Sequence, residues 1–499
     1  MEQFTFAAGT NSENLRKTQK IIRPICPMTK ARKILLFELN EVPWKVALDY
    51  CKKFPESTFA KIISSSYKYE TVCPDTGELS PWITWPTFHR GVNNEKHHIS
   101  DFNQDLTEAN KKYPSVWEIL HNKGIKTGVF GSFHSTPPPA DYKDYSFFVP
   151  DAFSSDSRAY PEYIEPFQNF NLVMSRESSR NVSSKIDVKS GLGMVMRIPQ
   201  LGLRMRTFME LGKHLMDERK RPWVKARRRT YQVVLAFDVF FKLIRKTKPQ
   251  FVTFFSNHVA SAMHRYWAAT YPEDYQQYNI DKSWADTYKG EINFTMGIFD
   301  KFLNELVSFI DKNPDYKLVI ASSMGQASTS ADLIDSQVYV KDADQFFLRM
   351  GIPANETTKV ASMFPQYNIK VNAEKIETLR KKLKELTING EHVEFREQEG
   401  GFFAIDFGQK NLKEAVAFLG DEKISFTELG LENLQIEDKS GSTAYHIPEG
   451  IMVIYDPTDT SKKEGITKIP STAVAPALLK NFGVDVPSYM NAQEIKGLA

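Results

Sequence analysis

Lys33-Ile34-Leu35-Leu36-Phe37-Glu38-Leu39-Asn40 decides how this chain folds. After Lys33 the run is apolar apart from Glu38, and it turns polar at Asn40-Glu41. A strand covered on both faces reads as a near-continuous apolar run, and such strands build parallel sheets flanked by helices. Phe251-Val252-Thr253-Phe254-Phe255-Ser256-Asn257-His258 and Lys317-Leu318-Val319-Ile320-Ala321-Ser322-Ser323 have the same form. Tyr445 to Tyr455 returns to the sheet, with His446 in the turn leading into it. Residues 43–65 read as helical, and a second helix begins at Pro114-Ser115-Val116-Trp117 and ends at Gly124. The strand Lys126-Thr127-Gly128-Val129-Phe130-Gly131 follows. Strand, helix and strand in that order predict right-handed crossovers and an α/β, doubly wound sheet with helices on both faces. Ligands of such sheets bind at the carboxyl ends of the strands, where these runs turn polar.

At 499 residues the chain exceeds one ordinary core, so several lobes are expected. The core is expected over 32–134, 250–334 and 440–499, with a helix at Ile292–Ile310, and Tyr231–Arg245, ahead of its second segment, reads as an amphipathic helix. Residues 135–249, opened by Pro137-Pro138-Pro139 and carrying a serine- and arginine-rich segment at 175–184, read as an inserted cap. Residues 335–439, with a Lys/Glu-rich helix at Ala373–Leu386 and short strands at His392–Phe395 and Gly401–Ile405, read as a small α+β subdomain. Within the cap, 197–229 holds eleven Lys/Arg against Glu210, Asp217 and Glu218. Such a run is either a solvated face or a surface for an anionic substrate or membrane headgroups. A formal charge of +3 gives no reason to expect nucleic acid. There is no apolar run long enough to span a bilayer. Residues 1–31 form a polar leader without a signal-peptide core, and Cys26, Cys51 and Cys73 lack metal-knuckle spacing; a cytoplasmic protein with reduced thiols is the expectation.

The chemistry-bearing stretch is Leu79-Ser80-Pro81-Trp82-Ile83-Thr84-Trp85-Pro86-Thr87-Phe88-His89-Arg90-Gly91. Two prolines and two tryptophans grip hydroxyls, an imidazole and a guanidinium in one short bend. That is either a presented nucleophile or a strand-to-helix turn whose tryptophans are core.

In the order of its motifs the chain resembles the alkaline phosphatase superfamily, on the type I phosphodiesterase/nucleotide pyrophosphatase branch. Leu36-Phe37-Glu38-Leu39-Asn40 looks like the first strand, Thr84-Trp85-Pro86 with Gly91 like the nucleophile segment, and Glu95-Lys96-His97-His98-Ile99 like the His-Gly-Ile element. Phe255-Ser256-Asn257-His258 through His264-Arg265-Tyr266-Trp267 resembles the Asp…His element. Ala321-Ser322-Ser323-Met324-Gly325 stands where Ser-Asp-His-Gly belongs, and His446-Ile447-Pro448-Glu449-Gly450-Ile451 is similar to the last element. The resemblance covers 32–135, 250–330 and 440–490, and implies an alkaline-phosphatase-like fold and transfer or hydrolysis at a phosphoester, phosphodiester or related anionic ester. A nucleotide-sugar or glycan intermediate is the donor expected from the compartment.

By that resemblance Thr84 is the nucleophile, or else a helix-capping threonine, and His446 is a ligand or general acid/base, or else a core imidazole. One of His258 and His264 belongs to the site. Arg90, His89, Arg265 and Trp85 are the substrate-binding candidates, with surface ion pairing the alternative for the arginines. Glu78 is either a base or solvated. The family holds two metal ions on aspartates and histidines, whereas here Asn40, Asn257, Ser323 and Met324 stand at ligand positions. Hard divalent ions need anionic ligands, so a two-metal site is not expected. One zinc or manganese ion on Asn40, Asn257 and His446 remains, provided Glu38 or Glu41 turns inward; Asn257 is followed four residues on by Ser261, so His264 is expected to serve only through a rearranged loop. The alternatives are a metal-depleted protein that binds an anionic ligand or partner without turnover, and a metal-independent group transferase using the same pocket.

Overall fold

The computed structural model describes residues 31–101, 104–177, 181, 197–360, 362 and 366–498. The leader expected over 1–31, but for its last residue, and most of the segment 175–184 lie outside the described residues. The strands that position the site are β1 (Lys33–Leu39), β2 (Tyr67–Val72), β3 (Thr127–Phe130), β4 (Phe147–Val149), β5 (Phe251–Ser256), β6 (Tyr316–Ala321), β7 (Gly325–Ser328), β8 (Ala444–Ile447), β9 (Glu449–Tyr455) and β10 (Thr467–Pro470). The central sheet has eight strands in the order β10-β2-β9-β6-β1-β5-β3-β4. β1 lies between β5 and β6, parallel to both, and β9 runs antiparallel to its neighbours β6 and β2. The outer pairs β3–β4 and β2–β10 are parallel. A separate two-stranded ribbon, β7 with β8, stands beyond the ends of β6 and β9.

The helices used below are α1 (Trp44–Lys53), α2 (Pro81–Arg90), α3 (Val116–Asn122), α4 (Met205–Lys220), α5 (Arg228–Thr247), α6 (His258–Thr270), α7 (Glu291–Asp311) and α8 (Val474–Asn481). Side chains alternate across a strand with period two, so a strand apolar throughout feeds two cores. Leu35, Phe37 and Leu39 of β1 join the cluster under α1, α5, α6 and α7, whereas Ile34 and Leu36 join the one under α2, α3 and α8. β6 divides in the same way, Leu318 and Ile320 against Val319 and Ala321. This is the doubly wound α/β architecture with helices on both faces. The helix read over 43–65 is two, because Pro55 disfavours the helical conformation of Phe54; the second, Thr58–Ile63, starts at Ser57, whose hydroxyl accepts from the Ala60 N–H at 3.2 Å.

Residues 336–435 carry sheets and an apolar cluster of their own. Glu394–Gln398, Phe402–Asp406, Gln366–Val371 and Thr357–Val360 form a four-stranded antiparallel sheet, and Leu379 and Leu383 of the helix Ile376–Glu385 pack in the cluster with Phe403 and Ile405. In the basic stretch, Arg204 pairs with Asp238 and Glu305, Arg227 with Glu291, and Arg228 with Glu218. Much of that positive charge is thus neutralised inside the fold.

Candidate metal centre

β1 ends at Leu39, and the chain turns through Asn40 and Glu41 with Glu41 in the left-handed region at φ 61°. That conformation costs a non-glycine residue roughly 1 kcal/mol, and here the turn is held from both sides. The Ser322 hydroxyl, just past β6, donates to the Leu39 carbonyl and accepts from the Val42 N–H at 3.2 Å. Glu41 is buried, and each of its oxygens has a donor. The Asn40 amide gives Nδ2–H to Glu41 Oε1 at 2.7 Å and to Asn257 Oδ1 at 2.8 Å, while Gln326 of β7 donates to Oε2.

Two imidazoles turn toward the same carboxylate. His264 Nε2 lies 3.0 Å and His446 Nε2 3.4 Å from Glu41 Oε2, with the ring centroids 5.2 Å apart and the planes at 76°. His264 Nδ1 is 2.8 Å from the Ala444 carbonyl and His446 Nδ1 is 2.6 Å from the Leu79 carbonyl. A carbonyl only accepts, so both Nδ1 atoms carry hydrogen and both Nε2 lone pairs face a carboxylate. Lone pairs facing an anion repel unless a cation lies between them, either protons or a metal ion. Burial pushes the Glu41 carboxyl up, but the charges and hydrogen bonds of His446 and His264 outweigh it and hold it well below the usual range. Burial acts to lower His446, and Glu41 reverses that and raises it. One ligand atom from each of Glu41, His264 and His446 falls within 4.8 Å of the others. Two neutral imidazoles and one carboxylate are groups that could hold a metal ion. Nδ1 bonds to backbone carbonyls are how ligating imidazoles are usually oriented. His264 is about a quarter exposed, so the group opens to solvent on that side.

No protein-family model matches the chain, and no curated protein does. Solved structures do. Murine ectonucleotide pyrophosphatase/phosphodiesterase 5 is 11% identical over 93% of this chain and 98% of its own, with a TM-score of 0.39. The human protein of that name is 11% identical over 93% and 97%, with a TM-score of 0.37. A variant of the alkaline phosphatase PafA is 11% identical over 93% and 98%, with a TM-score of 0.44. The chain is similar in structure to nucleotide pyrophosphatase/phosphodiesterases and alkaline phosphatases. These are the proteins whose motif order its sequence resembles.

Against the ligand expectation of Asn40, Asn257, His446 and Glu38, His446 lies beside Glu41 and His264, whereas the other three are engaged by other partners. The Asn40 oxygen accepts from the Trp85 indole at 2.8 Å, so this residue holds Glu41 and turns only its N–H₂ toward the site. Asn257 is exposed and receives that amide. Glu38 faces the interior and meets His89 Nε2 at 2.8 Å, with both side chains buried. The inward carboxylate is therefore Glu41. His264 needs no rearranged loop: 258–270 is helix, and three residues beyond Ser261 brings its ring to the same face one turn on. His258 is core, bonded to Ser256 Oγ at 2.6 Å and the Thr295 carbonyl at 3.1 Å, and burial lowers it to about 4.

Thr84 is fully buried in α2, its hydroxyl 2.8 Å from that of Ser323. Met324 is buried packing. Of the substrate-binding candidates, His89 is taken by Glu38, Trp85 supports Asn40, and Arg90 is buried with its guanidinium on the Tyr113 carbonyl and, at 2.8 Å, on Asn110. Arg265 donates to the Ser261 carbonyl and hydroxyl at 3.1 and 2.7 Å. Glu78 is exposed and accepts from Tyr445 at 2.9 Å, beside the opening. Pro86 has no N–H for the carbonyl four residues back, and His134 Nε2 serves it instead, 2.7 Å from Trp82 O.

Gln326 was not foreseen. Its signal is Gly325 before it: a Cβ there would lie 2.1 Å from the Glu449 carbonyl, so only glycine lets β7 lie against β9. That approach sets β7 on β8 in the register that places Gln326 opposite His446.

Proposed function

We propose that the protein binds one divalent cation on Glu41, His264 and His446 and hydrolyses, or transfers from, a phosphoester, phosphodiester or related anionic ester. The observation that carries this reading is the pair of imidazoles, each fixed at Nδ1 by a backbone carbonyl and each turning Nε2 to one buried carboxylate oxygen. A bound cation would supply Lewis-acid stabilisation of charge on a phosphoryl oxygen and lower the pKa of water in its open position. Glu41 contributes the negative charge of the donor set, and Asn40 and Gln326 fix the carboxylate so that little reorganises on binding.

The attacking group is read from Thr84. Its hydroxyl is buried and bonded to another hydroxyl rather than to a base, which favours water as the nucleophile and leaves the Thr84–Ser323 pair a structural contact. Attack by Thr84 itself is supported by its place on the segment whose Leu79 carbonyl orients His446. Thr84→Ala separates the two: hydrolysis by water survives it, whereas a threonine nucleophile loses turnover together with any phosphorylated intermediate.

The same geometry with protons in place of the ion supports a second reading, a metal-independent acid–base transferase, favoured by the raised His446. The test is the metal content of the purified chain, followed by turnover of nitrophenyl phosphomonoesters, phosphodiesters and nucleotide-sugars with and without chelator. About one zinc or manganese per chain, with turnover lost to chelator and restored by metal, is the expected result. A metal-free chain with chelator-resistant turnover establishes the second reading. A chain without turnover on the whole panel is a binding protein, and the hydrolase reading falls.

A further inference from the structure

The helix α4 presents a face to solvent that the metal centre does not use. Met205, Met209, Leu215 and Met216 are 74%, 56%, 45% and 59% exposed, among the most exposed large apolar side chains described. At about 100° per residue, the three methionines fall within about 40° of one another. Arg206, Lys213 and Lys220 edge this stripe on one side and Arg219 on the other, all exposed. The acids of the helix turn to the protein's own cations instead: Glu210 to Lys301 at 3.4 Å, Asp217 to Arg221, and Glu218 to Arg228 at 2.6 Å. Arg206 is held by Glu305, but Lys213, Arg219 and Lys220 make no ion pair with any described residue. The opposite face is anchored. Thr207 donates to Asp238 at 2.7 Å, the His214 ring lies 4.5 Å from that of Tyr231, and Phe208 and Leu211 pack on the core.

We propose that α4 docks the protein on an anionic lipid surface, lying in the plane of the headgroups with its methionine stripe at the acyl boundary. A helix with a narrow apolar stripe, cationic flanks and a fixed inner face has the form of an interfacial helix. Lysine and arginine stems lie along apolar surface while their charges reach the headgroups, and unbranched methionine adapts to a fluid boundary. Lys213, Arg219 and Lys220 leave three exposed cations beside the methionine stripe, the charge complement of anionic headgroups above an apolar boundary, which favours an anionic lipid surface as the occupant. Among the described residues no helix is long and apolar enough to cross a membrane, so this contact is a surface one.

The test is cosedimentation of the full chain with vesicles of phosphatidylcholine alone or with phosphatidylserine. The chain is expected to sediment with the phosphatidylserine vesicles, less so as salt rises, and to leave the neutral ones in solution. Lys213→Gln, Arg219→Gln and Lys220→Gln together are expected to weaken this by about a hundredfold, at about fivefold per charge. Met205→Ser, Met209→Ser and Met216→Ser together are expected to abolish it. Both sets are exposed, and an unchanged melting temperature confirms that the variants fold. The proposal is overturned by failure of the unsubstituted chain to sediment with phosphatidylserine vesicles, by equal sedimentation with both vesicle types, or by variants that bind as well as the unsubstituted chain. A chain that ignores vesicles but forms a dimer broken by the methionine substitutions overturns it in favour of self-association.

Discussion

Glu41→Gln keeps the volume of the side chain and removes its charge. Two effects follow. A unit charge about 4 Å from a divalent ion is worth about 8 kcal/mol at an effective dielectric of about 20, and desolvation of the two groups offsets about half of it or more. At about 1.4 kcal/mol per decade, a net loss of about 3–4 kcal/mol is about a hundredfold to a thousandfold in affinity for a cation. The second effect falls on stability. Asn40 and Gln326 both donate to the carboxylate, and a carboxamide offers one oxygen and an N–H₂. One buried donor then faces another, at a cost of about 1–3 kcal/mol in the metal-free chain. Competition for zinc and for manganese against a chromophoric chelator gives the first quantity, and denaturant titration in excess chelator gives the second. An affinity loss of about a hundredfold to a thousandfold is expected. If the Glu41→Gln chain holds metal as tightly as the unsubstituted one, Glu41 is not a ligand, and the turn of two imidazoles toward it has only structural meaning.

Two further expectations rest on other residues. His264→Ala removes a ligand and is expected to leave the chain metal-free but folded, whereas His258→Ala keeps the metal and destabilises by about 1–3 kcal/mol because Ser256 and the Thr295 carbonyl lose their partner; metal analysis and melting curves of the two side by side check this, and a reversed pattern refutes the assignment of the rings. Burial raises Asp151 from 3.8 to about 6, and its Oδ2 has no hydrogen-bond partner. The folded state therefore holds that proton to higher pH than the unfolded state, and stability through this group is present below the ordinary pKa and lost as pH rises through about 6. From pH about 4.5 to about 7.5 the loss comes to about 2 kcal/mol, which Asp151→Asn should remove. Denaturant titration of both proteins at the two pH values reads it, and a stability difference that does not change with pH contradicts it.

The sheet was legible in the chain because burial on both faces writes itself as unbroken apolar runs, and β1, β5, β6 and β9 stand where those runs stand. Their polar ends marked the rim where the site lies. The partners of the polar side chains were less legible. Asn40 occupies a ligand position in the motif order, yet its oxygen is taken by the Trp85 indole, a contact across 45 residues that no local pattern encodes. Arg90 and His89 carry chemistry-bearing groups, but the helical spacing of α2 turns both inward, to Asn110 and Tyr113 and to Glu38. His264 looked one turn too far along the chain, although on a helix that turn is a step along the same face.

By itself the sequence determined the α/β doubly wound architecture and the end of the sheet at which polar groups gather. Both follow from local composition, since strand burial, chain order and residue type are properties of short segments. Only the tertiary structure decided that Glu41 rather than Glu38 faces the imidazoles, that Asn40 and Gln326 hold it, and that His258 belongs to the core. Those choices depend on a left-handed turn at residue 41 and on a glycine that admits one strand against another. They are set by distances between segments far apart in the chain, which segment-by-segment reading of residue order does not contain.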